Sequence, residues 1–168
     1  MQSRKSMAAT ARLLTLALVL FTLMAGGAQA ATKMPSFALP SVKDGSVVKA
    51  SAYQGKAMLI NFFATWCPPC RKEIPSLIQL QNEYGPKGFT VIGISTDQGG
   101  AALVDKFAQK MEINYPVLLS DSQTPAAFGG ILGIPTSFLV NREGNVVKRY
   151  DGYVGHQTLV NDLNAILK

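Results

Sequence analysis

Cys67 and Cys70 are the only cysteines in a chain of 168 residues, separated by Pro68 and Pro69. Two thiols at this spacing can bind a metal, close a structural cross-link, or exchange electrons with another disulfide. A structural zinc site needs four ligands, and beyond these sulfurs the chain offers one distant histidine, His156, which leaves zinc a poor fit. A purely structural disulfide across so short a loop is worth only about 2 kcal/mol by the loop-entropy relation. A redox-active dithiol is the strongest of the three readings. Its chemistry is thiol-disulfide exchange: Cys67 attacks a substrate disulfide to give a mixed disulfide, and Cys70 then attacks Cys67 to release reduced substrate. Cys67, the more N-terminal, is expected to be the more exposed sulfur. The reverse sequence oxidises a dithiol, and the spacing alone does not fix the direction.

Such a pair needs a firm mount. Met58 to Phe63 is a nearly continuous apolar run, which predicts a strand buried on both faces that leads into Trp66-Cys67. Beyond Cys70, Ile74, Leu77, Ile78 and Leu80 recur at helical spacing until Gly85-Pro86, with a bend expected at Pro75. Pro68 and Pro69 suit the first helical positions, which have no intrahelical N–H partner to lose. The cysteines therefore fall at a strand-to-helix junction, where free N–H groups and the helix dipole favour a thiolate at Cys67. Glu73 lies three residues beyond Cys70 and so on the same helix face. By residue type alone, a glutamate beside Arg71 and Lys72 is more often a solvated surface charge.

The remaining pattern supplies a sheet. Phe89 to Ile94 and Val117 to Leu119 are further apolar strands, separated by a helical stripe of Leu103, Val104, Phe107 and Met111. Strand and helix alternating with short connections indicate parallel strands covered by helices. Phe138–Val140 and Val146–Tyr150 flank Glu143-Gly144-Asn145 as an antiparallel hairpin. Leu159, Val160, Leu163, Ile166 and Leu167 mark a closing helix. Near the front, Phe37–Leu39 and Ser46–Val48 flank Asp44-Gly45, a second hairpin signal.

With 48% hydrophobic and 15% charged residues the chain can build a core and is not disordered. Arg4, Lys5 and Arg12, then Leu13 to Met24, then Ala28-Gln29-Ala30 read as a secretory signal cleaved after Ala30. The expected organisation is signal peptide 1–30, linker 31–36 and a single domain 37–168. Without the leader the balance is 13 basic against 10 acidic residues, scattered along the chain, which gives no footprint for nucleic acid. An exported protein enters a compartment, here read as the periplasm, where disulfides persist. An uncleaved leader would tether it to the inner membrane.

The segment from Phe62 through Ala64-Thr65-Trp66-Cys67-Pro68-Pro69-Cys70-Arg71-Lys72-Glu73-Ile74 to Pro75 resembles the active-site segment of TlpA-like and ResA-like proteins. The resemblance runs on through Phe37-Ala38-Leu39-Pro40, Gly55-Lys56 and Gly133-Ile134-Pro135-Thr136. These are exported thioredoxin-fold thiol:disulfide oxidoreductases. The resemblance implies an α/β thioredoxin fold: three layers (α/β/α) around a mixed sheet, an N-terminal hairpin, and a helix-strand insertion over Asp97 to Asp121. It implies that Pro135 follows a cis peptide bond and faces the dithiol, and that the backbone of Ile134 pairs with substrate. By residues alone, Ile134-Pro135 could equally be an ordinary trans turn. Glu73 matches the family's acidic residue that handles protons for the cysteines. Asn61 stands where other thioredoxins place a buried aspartate, and a neutral amide cannot act as that base. Trp66, Pro68 and Pro69 would contribute to the docking surface, with core packing the alternative for Trp66.

The protein is expected to be a monomeric reductant. The resemblance suggests protein disulfides as substrates, with apocytochrome c a leading candidate and other exported proteins the alternative, and an inner-membrane thiol donor would regenerate the dithiol. No cofactor is expected beyond the redox-active disulfide, and no metal. Three rivals remain. Gly93-Ile94-Ser95-Thr96-Asp97 looks like a peroxiredoxin segment, but the Pro-x-x-x-Thr-x-x-Cys signature is absent. Copper-delivery proteins of this fold use Cys-x-x-x-Cys with a histidine, one residue more than here. An oxidising disulfide donor would use the same site.

Overall fold

The computed structural model describes residues 32–167; the expected leader, 1–30, lies outside them. Strands β1 (Thr32–Lys33), β4 (Ala57–Phe63), β5 (Phe89–Ser95), β6 (Val117–Leu119), β7 (Thr136–Val140) and β8 (Asn145–Asp151) form one mixed sheet in the order β1-β8-β7-β4-β5-β6. β4, β5 and β6 run parallel, while β7 pairs antiparallel with both β4 and β8. Strands β2 (Ala38–Pro40) and β3 (Val47–Lys49) form the separate front hairpin. Its turn is held by Asp44, which accepts from the Ser46 N–H at 3.0 Å, with Gly45 at φ 71°.

Every residue of β4 and β5 is buried, as two-sided burial of a central parallel strand requires. The pleat divides them. Leu59, Phe63 and Val91 face one core with Leu77, Leu80, Val104, Leu159 and Leu163, whereas Ile60, Phe62, Ile92 and Ile94 face another with Phe128, Phe138 and Leu39. The first core is covered by helices α1 (Pro68–Tyr84), α2 (Ala101–Lys110) and α4 (His156–Ile166). α1 and α2 share a face because successive right-handed crossovers that advance one way across a sheet stay on one side. The second face is covered by the front hairpin, a 3₁₀ turn at Ala50–Tyr53 and the single-turn helix α3 (Thr124–Ala127), so this layer is thin.

Several expectations need correction. The segment 31–36, read as a linker, contains β1, which pairs with Asn145 and Val146. Polar Thr32 and Lys33 carry no apolar signal, yet they satisfy backbone groups on the outer edge of β8. Leu103 is 48% exposed, because it and Val104 are adjacent on a helix and only Val104 points inward. The 3₁₀ turns at Ala50–Tyr53 and Gly85–Lys87 and helix α3 are too short to leave a periodic signature.

Candidate active site

β4 ends at Phe63 and α1 begins at Pro68, so four residues carry the chain from the sheet to the helix. Cys67 is the N-cap, with extended backbone (φ −84°, ψ 112°) and Pro68 and Pro69 in the first turn. Its sulfur is bonded to Cys70, with Cα atoms 5.3 Å apart. The Cys70 N–H donates to Cys67 Sγ at 3.3 Å. A sulfur at this position receives a helix N-terminal N–H, the contact that favours the anionic form once the disulfide is opened.

The peptide bond Ile134-Pro135 is cis, and the Ile134 carbonyl oxygen lies 3.6 Å from Cys67 Sγ. Cys67, Cys70, Pro68, Pro69, Trp66, Ile134 and Pro135 are thus gathered at the C-terminal ends of the parallel strands. Cys67 is 3% exposed and Cys70 2%, so in the disulfide form both are buried and the expected difference between them is slight. The Ile134 carbonyl lies against Cys67 Sγ and helps to cover it. Trp66 is 69% exposed, and with it Leu132 and Tyr153 present apolar surface from neighbouring loops. Lys72 sits over the Tyr153 ring at 4.9 Å.

Glu73 is buried rather than solvated. Asn61 Nδ2 donates to its Oε2 at 3.1 Å, and the Val154 N–H donates to its Oε1 at 3.2 Å. The same Asn61 amide donates to Ser137 Oγ at 2.9 Å. Burial pushes the Glu73 carboxyl up to about 7, against the opposing effect of its two hydrogen bonds. Burial, with the Glu73 charge adding to it, also holds the Tyr115 phenol above its usual range. His156, the single histidine of the sequence, is hydrogen-bonded to Ser76 at 2.8 Å.

One residue that sequence reasoning did not single out belongs to this site. Asp97, just past β5, accepts from the Thr65 N–H at 2.8 Å, the Thr65 hydroxyl at 2.7 Å and the Ser95 hydroxyl at 2.8 Å. Its prior signals were its place at the end of the Gly93–Asp97 segment and its position after the strand adjacent to β4, at the same end of the sheet.

A cysteine pair at a helix start, under a cis-proline loop, matches a known family. The Redoxin family model matches residues 29–167. The chain belongs to the Redoxin family. The thiol-disulfide oxidoreductase ResA of Bacillus subtilis (strain 168) is 31% identical over 133 residues, covering 79% of this chain and 73% of its own length. ResA of Bacillus anthracis is 31% identical over 130 residues, 77% and 72% of the two chains. Among solved structures, a thiol:disulfide interchange protein of the thioredoxin family from Chlorobium tepidum TLS superposes with a TM-score of 0.75. It is 36% identical and covers 82% of this chain and 97% of that one. This Redoxin member is a thiol-disulfide oxidoreductase of the ResA type, with a thioredoxin-like fold and a Cys67–Cys70 disulfide.

Proposed function

We propose that the protein acts outside the cytoplasm, in the periplasm, as a monomeric reductant of disulfides in other exported proteins. The observation that carries the reading is the placement of Cys67 Sγ between the Cys70 N–H and the Ile134 carbonyl. That arrangement offers a stabilised nucleophile beside a backbone carbonyl. The Cys67 thiolate attacks one sulfur of a substrate disulfide, and the other substrate sulfur leaves as a thiolate. Cys70 then gives its proton to Glu73, whose carboxyl near 7 suits it to take one at neutral pH. The Cys70 thiolate attacks Cys67, expels the second substrate sulfur and leaves the Cys67–Cys70 disulfide. Two electrons pass from the cysteine pair to the substrate, so the chemistry requires no organic cofactor and no metal.

Trp66, Pro68, Pro69, Ile134 and Pro135 form the contact face for the polypeptide around the substrate disulfide. Apocytochrome c is the leading candidate, supported by the resemblance of the active-site segment to the TlpA-like and ResA-like group. The leader read at 1–30 supports export. Among the described residues no helix is long and apolar enough to cross a membrane. An inner-membrane thiol protein would return the pair to its reduced form, and nucleic acid has no part.

The direction is tested by equilibrating the pair with glutathione. A potential near that of thioredoxin, about −270 mV, fits a reductant. A value near about −120 mV, as for a strong oxidant, would reverse the assignment.

A further inference from the structure

The turn that presents Cys67 has few anchors of its own. Ala64 is buried, but Trp66 is largely exposed. The backbone closes on itself through the Cys67 N–H donating to the Ala64 carbonyl at 3.2 Å. Among the described residues, the only side-chain hydrogen bonds made by residues 64–66 are the two from Thr65 to Asp97. One carboxylate thus takes both donors of Thr65, one oxygen for the amide and the other for the hydroxyl.

Asp97 is itself held in place. The oxygen that takes the Thr65 amide, Oδ2, also receives the Ser95 hydroxyl at 2.8 Å, and the Asp97 N–H donates back to Ser95 Oγ at 3.1 Å. Ser95 is fully buried at the end of β5. Next to it, the Thr96 N–H donates to the Phe63 carbonyl at 2.9 Å. The loops after β4 and β5 are therefore sewn together, and Asp97 is the only charged group in the seam.

We propose that Asp97 is a positioning residue for Cys67. By pinning Thr65 it fixes the turn that makes Cys67 the helix N-cap, and so keeps its sulfur on the Cys70 N–H. The claim rests only on Cys67 being the reacting sulfur, not on the direction of electron flow or the partner. Other ionisable groups on the elements around the disulfide are Arg71, Lys72 and Glu73 on α1, Tyr115 before β6 and Tyr153 after β8. None of them is hydrogen-bonded to Asp97.

The test uses reduced full-length protein carrying Cys70→Ser, so that one thiol remains and its thiolate displaces iodide from iodoacetamide. Alkylation rate against pH gives the Cys67 titration. Asp97→Ala should move the midpoint up by about one pH unit and slow alkylation by about tenfold at pH values well below the midpoint, the loss of thiolate that such a shift implies. Thr65→Val should reproduce the change, and the double variant should add little, as expected for two residues acting through one contact. Asp97→Asn, which can accept from the Thr65 N–H while its amide donates to the Thr65 hydroxyl, should restore most of the rate.

A lowered melting temperature with an unmoved midpoint in Asp97→Ala and Thr65→Val would show a structural seam and overturn the proposal. A downward shift in Asp97→Asn would show that charge, not position, is what Cys67 senses, and would overturn it as well. If Asp97→Ala does not fold, Thr65→Val and Asp97→Asn decide alone. A parent protein whose Cys67 resists alkylation at every pH would instead defeat the exchange mechanism itself.

Discussion

Asn61 on the central strand and Glu73 on the following helix, 12 positions apart, meet in a buried hydrogen bond of 3.1 Å. The amide supplies the proton in this bond, so the carboxyl can be charged or neutral without losing its partner. Burial favours the neutral form and outweighs the hydrogen bonds from Asn61 and Val154, which favour the charged one.

The first prediction concerns stability against pH in the oxidised protein, where the cysteines do not titrate. The folded Glu73 value, about 7, lies above its ordinary 4.5, so the native state holds this proton more tightly than the unfolded chain does. The contribution is full below about pH 4.5 and is lost as pH rises through about 7. The loss is at most about 3 kcal/mol. Glu73→Gln should lack this slope. Urea unfolding at pH 5 and pH 8 compares the two, and equal slopes would remove Glu73 as the source.

A second prediction separates the two sulfurs. Cys67→Ala should abolish exchange, whereas Cys70→Ala should accumulate a mixed disulfide with substrate, visible on a non-reducing gel. Equal residual activity in both would contradict the order of attack.

The exposed rim makes a third. Leu132 is fully exposed on the loop that leads to Ile134, and Trp66 precedes Cys67. Leu132→Ser or Trp66→Ser should raise KM for a disulfide-bonded polypeptide such as insulin by about tenfold, the scale of one apolar side chain left in water. Turnover of oxidised glutathione should hardly change. A matched loss with both substrates would assign these residues to the chemistry rather than to docking.

The fourth tests the thin layer. Phe62 is fully buried, with edge-on contacts to Phe128 at 5.2 Å and Phe138 at 6.1 Å. Phe62→Ala should cost about 3–5 kcal/mol in chemical denaturation. A cost under about 1 kcal/mol would mean the α3 side collapses to fill the gap.

What could be read in advance followed the range of the forces involved. β4 and β5 were legible because central parallel strands are apolar throughout, and α1 because its buried residues recur at helical spacing. The cysteine pair at their junction was legible for the same reason. Glu73 could be placed near Cys70 by helix geometry, but its burial depends on Asn61 and Val154, which other elements bring in. The cover over Cys67 comes from a carbonyl 67 residues downstream, and Asp97 reaches Thr65 across 32 residues. Contacts of that separation leave no periodicity. β1 was missed because an edge strand of Thr32 and Lys33 is recognised only by its pairing with β8.

The shared amide of Asn61 also limits what the interior can become. Both of its hydrogens are committed, one toward Glu73 and one toward Ser137. An aspartate at that position would confront Glu73 acid to acid, and two such neighbours must compete for a single hydrogen ion. The ground beneath this dithiol therefore accommodates one acid, seated on the helix or on the strand. In this protein the helix holds the seat.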